Sequence, residues 1–232
     1  MKKIVVLTGA GISAESGIST FRDSGGLWEQ HSIEDIATYE GWLRNRQLVL
    51  DFYNQRRKQL QDVEPNEAHR QLVRLESHYD VEIITQNVDD LHERAGSSKV
   101  THLHGELKKV RSEKNPNEII TLDGWELKEG MLASDGSQLR PHIVWFGEAV
   151  PMMDKAMEIT RQADIFLVVG TSLNVYPAAG LIDFVGSSVP KYIIDPNDVK
   201  TSRKDIRFIK ERASIGVEQL VNELIDDKFC QS

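Results

Sequence analysis

A glycine-rich turn directly after an apolar segment is the feature that most restricts how this chain can fold. Residues 4–7 are Ile-Val-Val-Leu, and they lead through Thr8 into Gly9, Gly11 and Ala14, which have the spacing G-x-G-x-x-G/A. In that spacing the first glycine permits a tight turn, the second lets the backbone approach a pyrophosphate, and the small third residue lets a helix pack on a strand. The stretch therefore predicts a strand–turn–helix unit that binds a dinucleotide.

The residues that would complete a site for hydride transfer do not follow. Enzymes of that kind carry a second strand, ending in an acidic residue roughly 20 residues after the glycines, that holds the adenosine ribose. Here residues 21–26 are Phe-Arg-Asp-Ser-Gly-Gly, a turn-rich stretch with no apolar strand before Asp23. We infer that a dinucleotide bound by this chain serves a reaction other than hydride transfer.

Composition limits the expected compartment and partners. The 232 residues are 40% hydrophobic and 28% charged, which is ordinary for a globular protein. No apolar stretch approaches the roughly 20 residues that span a bilayer, and no signal peptide is evident, so we expect a cytoplasmic protein with no membrane partner. The single cysteine, Cys230, excludes an internal disulfide and a cysteine-based structural zinc site. A formal charge of −8 disfavours nucleic acid and would suit a cationic, lysine-rich peptide.

Apolar and β-branched runs alternate with helical patterns along most of the chain. The predicted strands lie near 3–8, 81–85, 99–103, 142–146, 165–169, 191–195 and, more weakly, 206–210. Helices are predicted over 67–75, with Asn66 as the N-cap, and over 152–163 and 216–226. The alternation predicts an α/β fold, a Rossmann-like doubly wound parallel sheet.

Two segments interrupt the alternation and predict a small inserted module. Residues 29–60 have a polar helical pattern, and residues 108–140 are charged and rich in turns. We expect these segments to form the module together, and residues 1–28, 61–107 and 141–232 to form the dinucleotide-binding domain.

The polar residues that follow the predicted strands should meet in one cleft, because ligands of open α/β sheets bind beyond the carboxyl ends of the strands. Small or polar residues occur at six such ends, 8–11, 85–90, 102–105, 146–148, 170–172 and 195–197. One polar loop is unremarkable for any protein, but six at one edge of a sheet indicate a large polar site.

Two histidines of this cleft allow two interpretations. A histidine titrates near neutral pH, so His104 is a candidate general base. His102 lies two residues earlier and is expected to be structural. The alternative is a hydrolytic metal site made by both histidines with Asp89 and Asp90, which would leave the glycine-rich turn without a role.

Taken together, these stretches resemble the sirtuin family of NAD-dependent protein-lysine deacylases over about residues 3–221. The matching stretches are GAGISAESGISTFRD (9–23), TQNVDDLHERAG (85–96), HLHGEL (102–107), VWFGE (144–148) and GTSLNVYPAA (170–179). The resemblance implies that NAD is consumed as a co-substrate. The acyl oxygen of a modified lysine attacks the ribose carbon that carries nicotinamide, nicotinamide leaves, and the acyl group ends on ADP-ribose.

The resemblance also implies roles for individual residues. His104 would be the base that acts on a ribose hydroxyl, with Asn87 as a second catalytic residue. The residues implied in cofactor binding are Gly9, Ala10, Gly11, Ser13, Ala14, Glu15, Thr20, Phe21, Arg22, Trp28, Gln86, Asn87, Asp89, Gly170, Thr171, Ser172, Asp195, Asn197 and Ala213. The residues implied in pairing with the substrate peptide as a neighbouring strand are Val144, Trp145, Phe146 and Gly147. We expect one of the two aromatic residues there to pack in the core, because alternate residues of a strand face opposite sides.

The chain departs from the family's pattern in the inserted module. Most sirtuins hold a structural zinc there with two Cys-x-x-Cys pairs, whereas residues 108–140 contain no cysteine, so we expect no zinc. The module would be held by packing of Ile119, Ile120, Leu122, Trp125 and Leu127. At the adenine ribose Asp195 replaces the family's usual asparagine, and a carboxylate still accepts hydrogen bonds from both ribose hydroxyls.

A Tyr-x-x-Arg pair indicates which acyl group is removed. Tyr53 and Arg56 are three residues apart in a predicted helix and share a face. The pair resembles the sirtuin branch that removes succinyl, malonyl or glutaryl groups, because a carboxylate buried in an apolar tunnel requires a fixed counter-charge. The alternative is that Arg56 belongs to the run Arg56-Arg57-Lys58 on a solvated helix face. Acetyl remains a possible second substrate.

Two other functions would use the same cleft. A sirtuin-like NAD hydrolase or ADP-ribosyltransferase would not need residues 144–148 or the Tyr53–Arg56 pair. A non-catalytic sensor of NAD or ADP-ribose would not need His104 and Asn87. We therefore favour a deacylase, expected to be a monomer, whose partners are acylated lysine side chains of proteins or peptides.

Overall fold

The computed structural model describes residues 1–19, 32–199, 201 and 203–230. Its strands are β1 Lys3–Thr8, β2 Asp80–Thr85, β3 Val100–His102, β4 Gly105–Ser112, β5 Ile119–Thr121, β6 Leu139–Ile143, β7 Ile165–Val169, β8 Lys191–Ile194 and β9 Ile206–Ile209. Its α-helices are α1 Ala10–Ala14, α2 Ile33–Ile36, α3 Tyr39–Arg44, α4 Arg46–Gln59, α5 Glu67–Leu75, α6 Leu91–Ala95, α7 Met153–Arg161 and α8 Ala213–Cys230, and Ala178–Phe184 form a 3₁₀ helix. None of the helices in the described part of the chain is long and apolar enough to cross a membrane.

Six strands form a parallel sheet in the order β3-β2-β1-β7-β8-β9. The chain moves outward from β1 through β2 to β3, and it later returns to place β7 on the other side of β1. The direction of winding therefore reverses between β1 and β7, and the carboxyl ends of these neighbouring strands border a crevice. The predicted doubly wound α/β fold is confirmed.

The two central strands are buried on both faces. The side chains of residues 4–7 in β1 have no exposed surface, and all residues of β7 are buried. Ile4 and Val6 belong to a core with α5 and α8, whereas Val5 and Leu7 belong to a core with α7 and the 3₁₀ helix. The unbroken apolar runs of these strands follow from cover on both sides. Full burial of each such side chain contributes roughly 1.5–3 kcal/mol.

Asn66 caps α5 as predicted and also ties this helix to the glycine-rich segment. Its side-chain oxygen accepts from the Ala68 N–H at 3.0 Å, and its own backbone N–H donates to His69 Nδ1 at 3.3 Å, which completes a capping box. Asn66 Nδ2 donates to the Ile12 carbonyl at 2.7 Å and to Ser16 Oγ at 3.0 Å. The start of α5 is therefore fixed against α1.

The strand predicted over 142–146 lies three residues earlier in the chain and belongs to a second, antiparallel sheet. This sheet has the order β5-β4-β6, and β6 ends at Ile143. Beyond it, Phe146 makes only an isolated parallel bridge with Thr38. Strand β4 occupies a segment that was predicted in part as turns, because its charged residues lie on the exposed face and only Leu107 and Val110 give an apolar signal. The small sheet crosses both boundaries predicted near 107 and 141.

The helices α3 and α4 and the small sheet share one hydrophobic core. Trp42 and Leu50 from the helices pack in a cluster with Leu127 and with residues of β4 and β6. Ile119 and Ile120 lie outside this core, contrary to the prediction, and are 45% and 41% exposed. The reason is that β5 is a short edge strand whose three residues are all exposed.

A buried arginine joins the helical half of this module to its sheet. Arg57 is 3% exposed and donates to Asn54 Oδ1 at 2.6 Å, to the Trp125 carbonyl at 2.8 Å and to the Leu107 carbonyl at 3.3 Å. Asn54 also accepts from the Leu127 N–H at 2.8 Å and donates to the Leu127 carbonyl at 3.0 Å. Burial lowers the pKa of Arg57 to about 10, so the guanidinium stays charged at neutral pH.

We expect Arg57→Ala to lower the free energy of unfolding by about 2–4 kcal/mol, because three buried acceptors lose a donor. Urea unfolding followed by tryptophan fluorescence measures this change. The matched control is Gln55→Ala, an exposed position on the same helix, with an expected change below about 0.5 kcal/mol. Similar losses in the two variants would contradict the role given to Arg57.

Candidate active site

A cavity of about 450 Å³ opens at the carboxyl ends of the central strands. Sites for small ligands have volumes of roughly 300–1,000 Å³. The predicted site residues that line it are Gly9, Ala10, Gly11, Ala14, Glu15, Tyr53, Arg56, Gln86, Asn87, His104, Val144, Trp145, Phe146, Gly147, Gly170, Thr171, Ser172, Asp195, Asn197 and Ala213. Residues from distant parts of the sequence are thus brought to one wall, as the strand ends predicted.

The glycines of the first turn let the loops after β1 and β7 touch. Gly9 N–H donates to the Val169 carbonyl at 3.0 Å, and Gly11 N–H donates to the Gly170 carbonyl at 2.8 Å. A Cβ added to Gly11 would lie 2.7 Å from the Gly170 Cα, which is closer than packed atoms approach. Gly170 itself has a φ of +63°, a region that favours glycine. Both N–H groups are therefore bonded to carbonyl groups at the end of β7. The glycines are needed for this contact even before a ligand binds.

The loop after β2 is joined to the same turn through Asn87. This side chain is buried, and its Nδ2 donates to the Gly9 carbonyl at 3.0 Å and to Ser13 Oγ at 3.1 Å. Its backbone N–H donates to Thr85 Oγ1 at 3.0 Å. The neighbouring Gln86 donates from Nε2 to Thr171 Oγ1 at 3.2 Å. Loops from three strands are thus cross-linked around the cavity.

His104 is held in one tautomer at the cavity wall. Its Nδ1 lies 3.0 Å from the Gln86 carbonyl, and a carbonyl only accepts, so Nδ1 carries the proton. Nε2 of the neutral ring is then the acceptor. Burial lowers the pKa of His104 below its usual 6.5. The imidazole is therefore neutral at physiological pH and able to take a proton, as a general base requires.

Two of the predicted site residues lie behind the lining. Ser13 is fully buried, and Asp89 is 5% exposed and accepts from the Leu91 N–H at 3.2 Å. Burial raises the pKa of the Asp89 carboxyl, and a hydrogen bond from Ser13 and the charge of Arg56 oppose that rise. Asp89 thus interacts with Ser13 of α1 and with the charge of Arg56. The predicted residues Thr20, Phe21, Arg22 and Trp28 lie outside the described residues.

Tyr53 and Arg56 form a buried polar spot in an otherwise apolar part of the wall. Arg56 is 7% exposed, which contradicts the alternative of a solvated helix face. Burial lowers the pKa of Arg56, and the Asp89 carboxylate counteracts this effect. Burial also raises the pKa of Tyr53 to about 12, so its hydroxyl is neutral at physiological pH. Phe52 and Ile143 belong to the same lining.

The segment expected to bind the peptide follows β6. Trp145 is 2% exposed and Phe146 is 44% exposed, which confirms that only one of the two aromatic residues packs in the core. The Val144 N–H donates to the His104 carbonyl at 3.0 Å, and the Phe146 N–H donates to the Ala37 carbonyl at 2.9 Å. These bonds attach the segment to His104 on one side and to Ala37, which follows α2, on the other.

Sequence reasoning missed part of the lining. The additional residues are Ala37, Phe52, Val88, Ile143, Glu148, Val150, Val175, Tyr176, Pro177, Pro196, Asp198, Val199 and Arg212. Glu148 and Val175 to Pro177 stand inside two of the motif stretches, so the motifs did contain a signal for them. Arg212 had none beyond its position next to Ala213. It adds a cation to a wall that already offers hydroxyls, amides and the Asp195 carboxylate, and this set suits the phosphates and ribose hydroxyls of a dinucleotide.

The metal alternative does not match the positions of its proposed ligands. His102 bonds through Nδ1 to the Asn87 carbonyl at 2.9 Å and through Nε2 to Glu93 at 2.8 Å. The Glu93 carboxylate raises the pKa of His102 despite burial. Both nitrogens are therefore used in the structural role that the sequence predicted. The described ranges contain no group of three His, Cys, Asp or Glu side chains placed to hold a metal ion.

The sequence profile of the Sir2 family matches residues 9–177. The chain belongs to the Sir2 family. It is 55% identical to an NAD-dependent protein deacylase of Bacteroides thetaiotaomicron, over 97% of this chain and 99% of that protein. It is 54% identical to an NAD-dependent protein deacylase of Helicobacter pylori J99, over 97% of each. A solved Sir2 homologue–NAD complex superposes with a TM-score of 0.88 at 37% identity, covering 97% of this chain and 90% of the homologue.

Membership of the Sir2 family confirms the resemblance seen in the motifs. Sirtuins use NAD as a co-substrate, so the predicted dinucleotide is NAD. The contacts of individual lining residues with NAD stay predictions from their motif positions.

We expect Gly11→Ala to weaken NAD binding at least tenfold and to lower the free energy of unfolding by about 1–3 kcal/mol, because its Cβ forces the β1 and β7 loops apart. Isothermal titration calorimetry with NAD and urea unfolding measure the two effects. Gly180→Ala is the control, since a Cβ there meets its nearest neighbour at 3.9 Å. Unchanged NAD affinity in Gly11→Ala would show that the loop contact does not shape the site.

Proposed function

We propose that this Sir2-family protein is an NAD-dependent protein-lysine deacylase that removes succinyl and malonyl groups in preference to acetyl. The observation that carries the proposal is that a neutral His104 and the buried pair Tyr53 and Arg56 line one cavity. The first group suits transfer chemistry at a ribose, and the second suits an acyl chain that ends in a carboxylate. Both ends of an acyl-lysine reaction are therefore accommodated in one site.

The cofactor end of the cavity would be formed by the loops after β1, β2, β7, β8 and β9. Thr171, Ser172 and Arg212 offer donors for phosphate, and Asp195 offers acceptors for ribose hydroxyls. NAD, when bound, supplies the ribose carbon that accepts the acyl oxygen, with nicotinamide as the leaving group. Asn87 holds the loops in register, and His104 accepts a ribose hydroxyl proton at Nε2.

The acyl end supplies charge and direction. The Arg56 guanidinium is planar and presents paired donors, which match the two oxygens of a terminal carboxylate. The Tyr53 hydroxyl adds a third, neutral donor next to it. Phe52, Val88 and Ile143 make the remaining wall apolar, so an acyl carboxylate there is desolvated and depends on these donors. An acetyl group makes none of these bonds and gains less from this wall.

We expect the rate of deacylation to fall when the pH is lowered, with an apparent pKa below 6.5. Between pH 6.5 and about 8 we expect no loss of rate from titration of His104. The reason is that burial lowers the pKa of His104, so the neutral base persists below the usual titration range. The pH dependence of kcat/KM for a succinylated peptide measures this. His104→Ala should abolish turnover while NAD still binds, and a variant that kept turnover would contradict the base assignment.

We expect Arg56→Met to lower kcat/KM for a succinyl-lysine peptide by about 10- to 100-fold more than for the acetyl form of the same peptide, because a buried carboxylate loses its counter-charge. Mass spectrometry of both peptides with and without NAD measures the two rates. Lys58→Met, an exposed cation on the same helix, is the matched control and should leave the ratio unchanged. Equal losses for both peptides would reject the acyl assignment. Nicotinamide release without deacylation would instead favour an NAD hydrolase.

A further inference from the structure

Trp145 belongs to the cavity lining, and its indole ring packs against an arginine and a second tryptophan. The side chain is 2% exposed. The Arg140 guanidinium carbon lies 3.5 Å from the ring centroid, and the Trp42 ring lies 5.8 Å away at a tilt of 41°. A cation over the face of an indole is attracted by the ring quadrupole. The ring therefore has one position in this packing.

The arginine on the Trp145 ring is itself fixed by Glu148. The Glu148 carboxylate accepts from Arg140 at 2.7 and 3.1 Å, and it also accepts from the Trp145 backbone N–H at 2.8 Å. Arg140 donates further to the Ile143 carbonyl at 3.2 Å. One carboxylate thus sets both the backbone of Trp145 and the cation on its ring. The direction of the indole N–H follows from this arrangement.

The indole N–H of Trp145 is directed at Tyr53, one of the two residues proposed to bind the acyl carboxylate. Trp145 Nε1 lies 3.0 Å from the Tyr53 hydroxyl oxygen, and an indole nitrogen can only donate. The hydroxyl oxygen therefore accepts this bond, and its single proton points away from Trp145. Tyr53 lines the cavity beside Arg56. Trp145, whose side chain is buried, thus sets the direction of the Tyr53 hydroxyl proton.

We propose that Trp145 is a specificity-determining positioning residue, whose indole N–H occupies the acceptor side of Tyr53 and so makes that hydroxyl a donor toward the terminal carboxylate of an acyl group. The inference rests on the proposed function and extends it from the Tyr53–Arg56 pair to the residue that orients it. Without the indole N–H, the Tyr53 hydroxyl can turn its proton away from the carboxylate. The loss is then confined to acyl groups that carry a charge.

The test is a double-substitution cycle with Trp145→Phe, which keeps an aromatic ring and removes the N–H. We expect the ratio of kcat/KM for succinyl over acetyl peptide to fall about 3- to 10-fold, mainly through a higher KM for the succinyl peptide. In a Tyr53→Phe background the same substitution should leave the ratio unchanged, because the group that it orients is gone. A packing role alone would change the ratio equally in both backgrounds and would overturn the proposal.

Trp42→Phe is the matched control in the same aromatic cluster. Its indole Nε1 donates to Glu113 Oε1 at 3.1 Å rather than to Tyr53, so its removal should not alter the succinyl-to-acetyl ratio. An equal change in the two tryptophan variants would count against a specific bond. Urea unfolding of each variant separates loss of fold from loss of specificity.

A measurement on the unaltered protein covers the case in which Trp145→Phe fails to fold. In ¹⁵N-labelled wild type, succinyl-lysine peptide should shift the Trp145 indole N–H resonance more than acetyl-lysine peptide does, and Tyr53→Phe should move it in the absence of peptide. Equal shifts by both peptides, or no effect of Tyr53→Phe, would overturn the proposal.

The cycle also separates this inference from the function on which it rests. If wild type shows no preference for succinyl and Arg56→Met leaves the ratio unchanged, the proposed specificity fails and this inference fails with it. If wild type and Arg56→Met behave as expected while Trp145→Phe keeps the wild-type ratio, only the role of Trp145 is rejected.

Discussion

The contact between the loops that follow β1 and β7 is the constraint on which the rest of the site depends. Gly11 and Gly170 approach until a single added methyl group would collide with backbone, and the Gly11 N–H bonds across the gap at 2.8 Å. The Gly9 carbonyl accepts a hydrogen bond from Asn87, which attaches the loop after β2 to the glycine turn. In the same loop, the Gln86 carbonyl accepts from His104 and fixes its ring. The imidazole of His104, the proposed base, is thus oriented by a chain of bonds that starts at the glycine turn.

A series of buried hydrogen bonds between polar groups supports this arrangement. Thr8 Oγ1, at the end of β1, donates to Thr85 Oγ1 at 2.8 Å and lies 3.0 Å from His92 Nε2. Thr85 in turn accepts from the Asn87 N–H, so the chain ends at the loop after β2. Burial holds the pKa of His92 well below its usual value, and burial lowers that of the neighbouring His69 to about 4. Both rings are therefore neutral hydrogen-bonding groups, whose protonation would introduce charge into the core.

Much of the fold and of the cofactor end was predictable because short-range patterns encode them. Apolar runs covered on both faces gave the central strands, and the glycine spacing gave the turn between β1 and α1. The sequence was less informative where the environment of a residue is set by tertiary packing. The apolar run over 142–146 was predicted as one strand. In the structure β6 ends at Ile143, and Trp145 beyond it is buried because its ring packs in the core. For Arg56 the sequence left a solvated helix face open as the alternative to the predicted pair with Tyr53, and only burial of the side chain in the fold contradicts that alternative.

Helix α4 links acyl recognition to the stability of the small module. Two pairs of residues at i, i+3 lie one position apart on it: Tyr53 and Arg56 face the cavity, and Asn54 and Arg57 bond to the segment around Trp125 and Leu127. Two consecutive arginines of α4 are thus buried, at a desolvation cost that lowers the pKa of each. Arg57 is compensated by carbonyl and amide oxygens, whereas Arg56 is stabilised by charge, from Asp89 and, in the proposed reaction, from the acyl carboxylate. Where most sirtuins use zinc, a hydrogen-bonded arginine connects sheet to helix here, and the same helix carries Arg56, the arginine proposed to bind the acyl carboxylate.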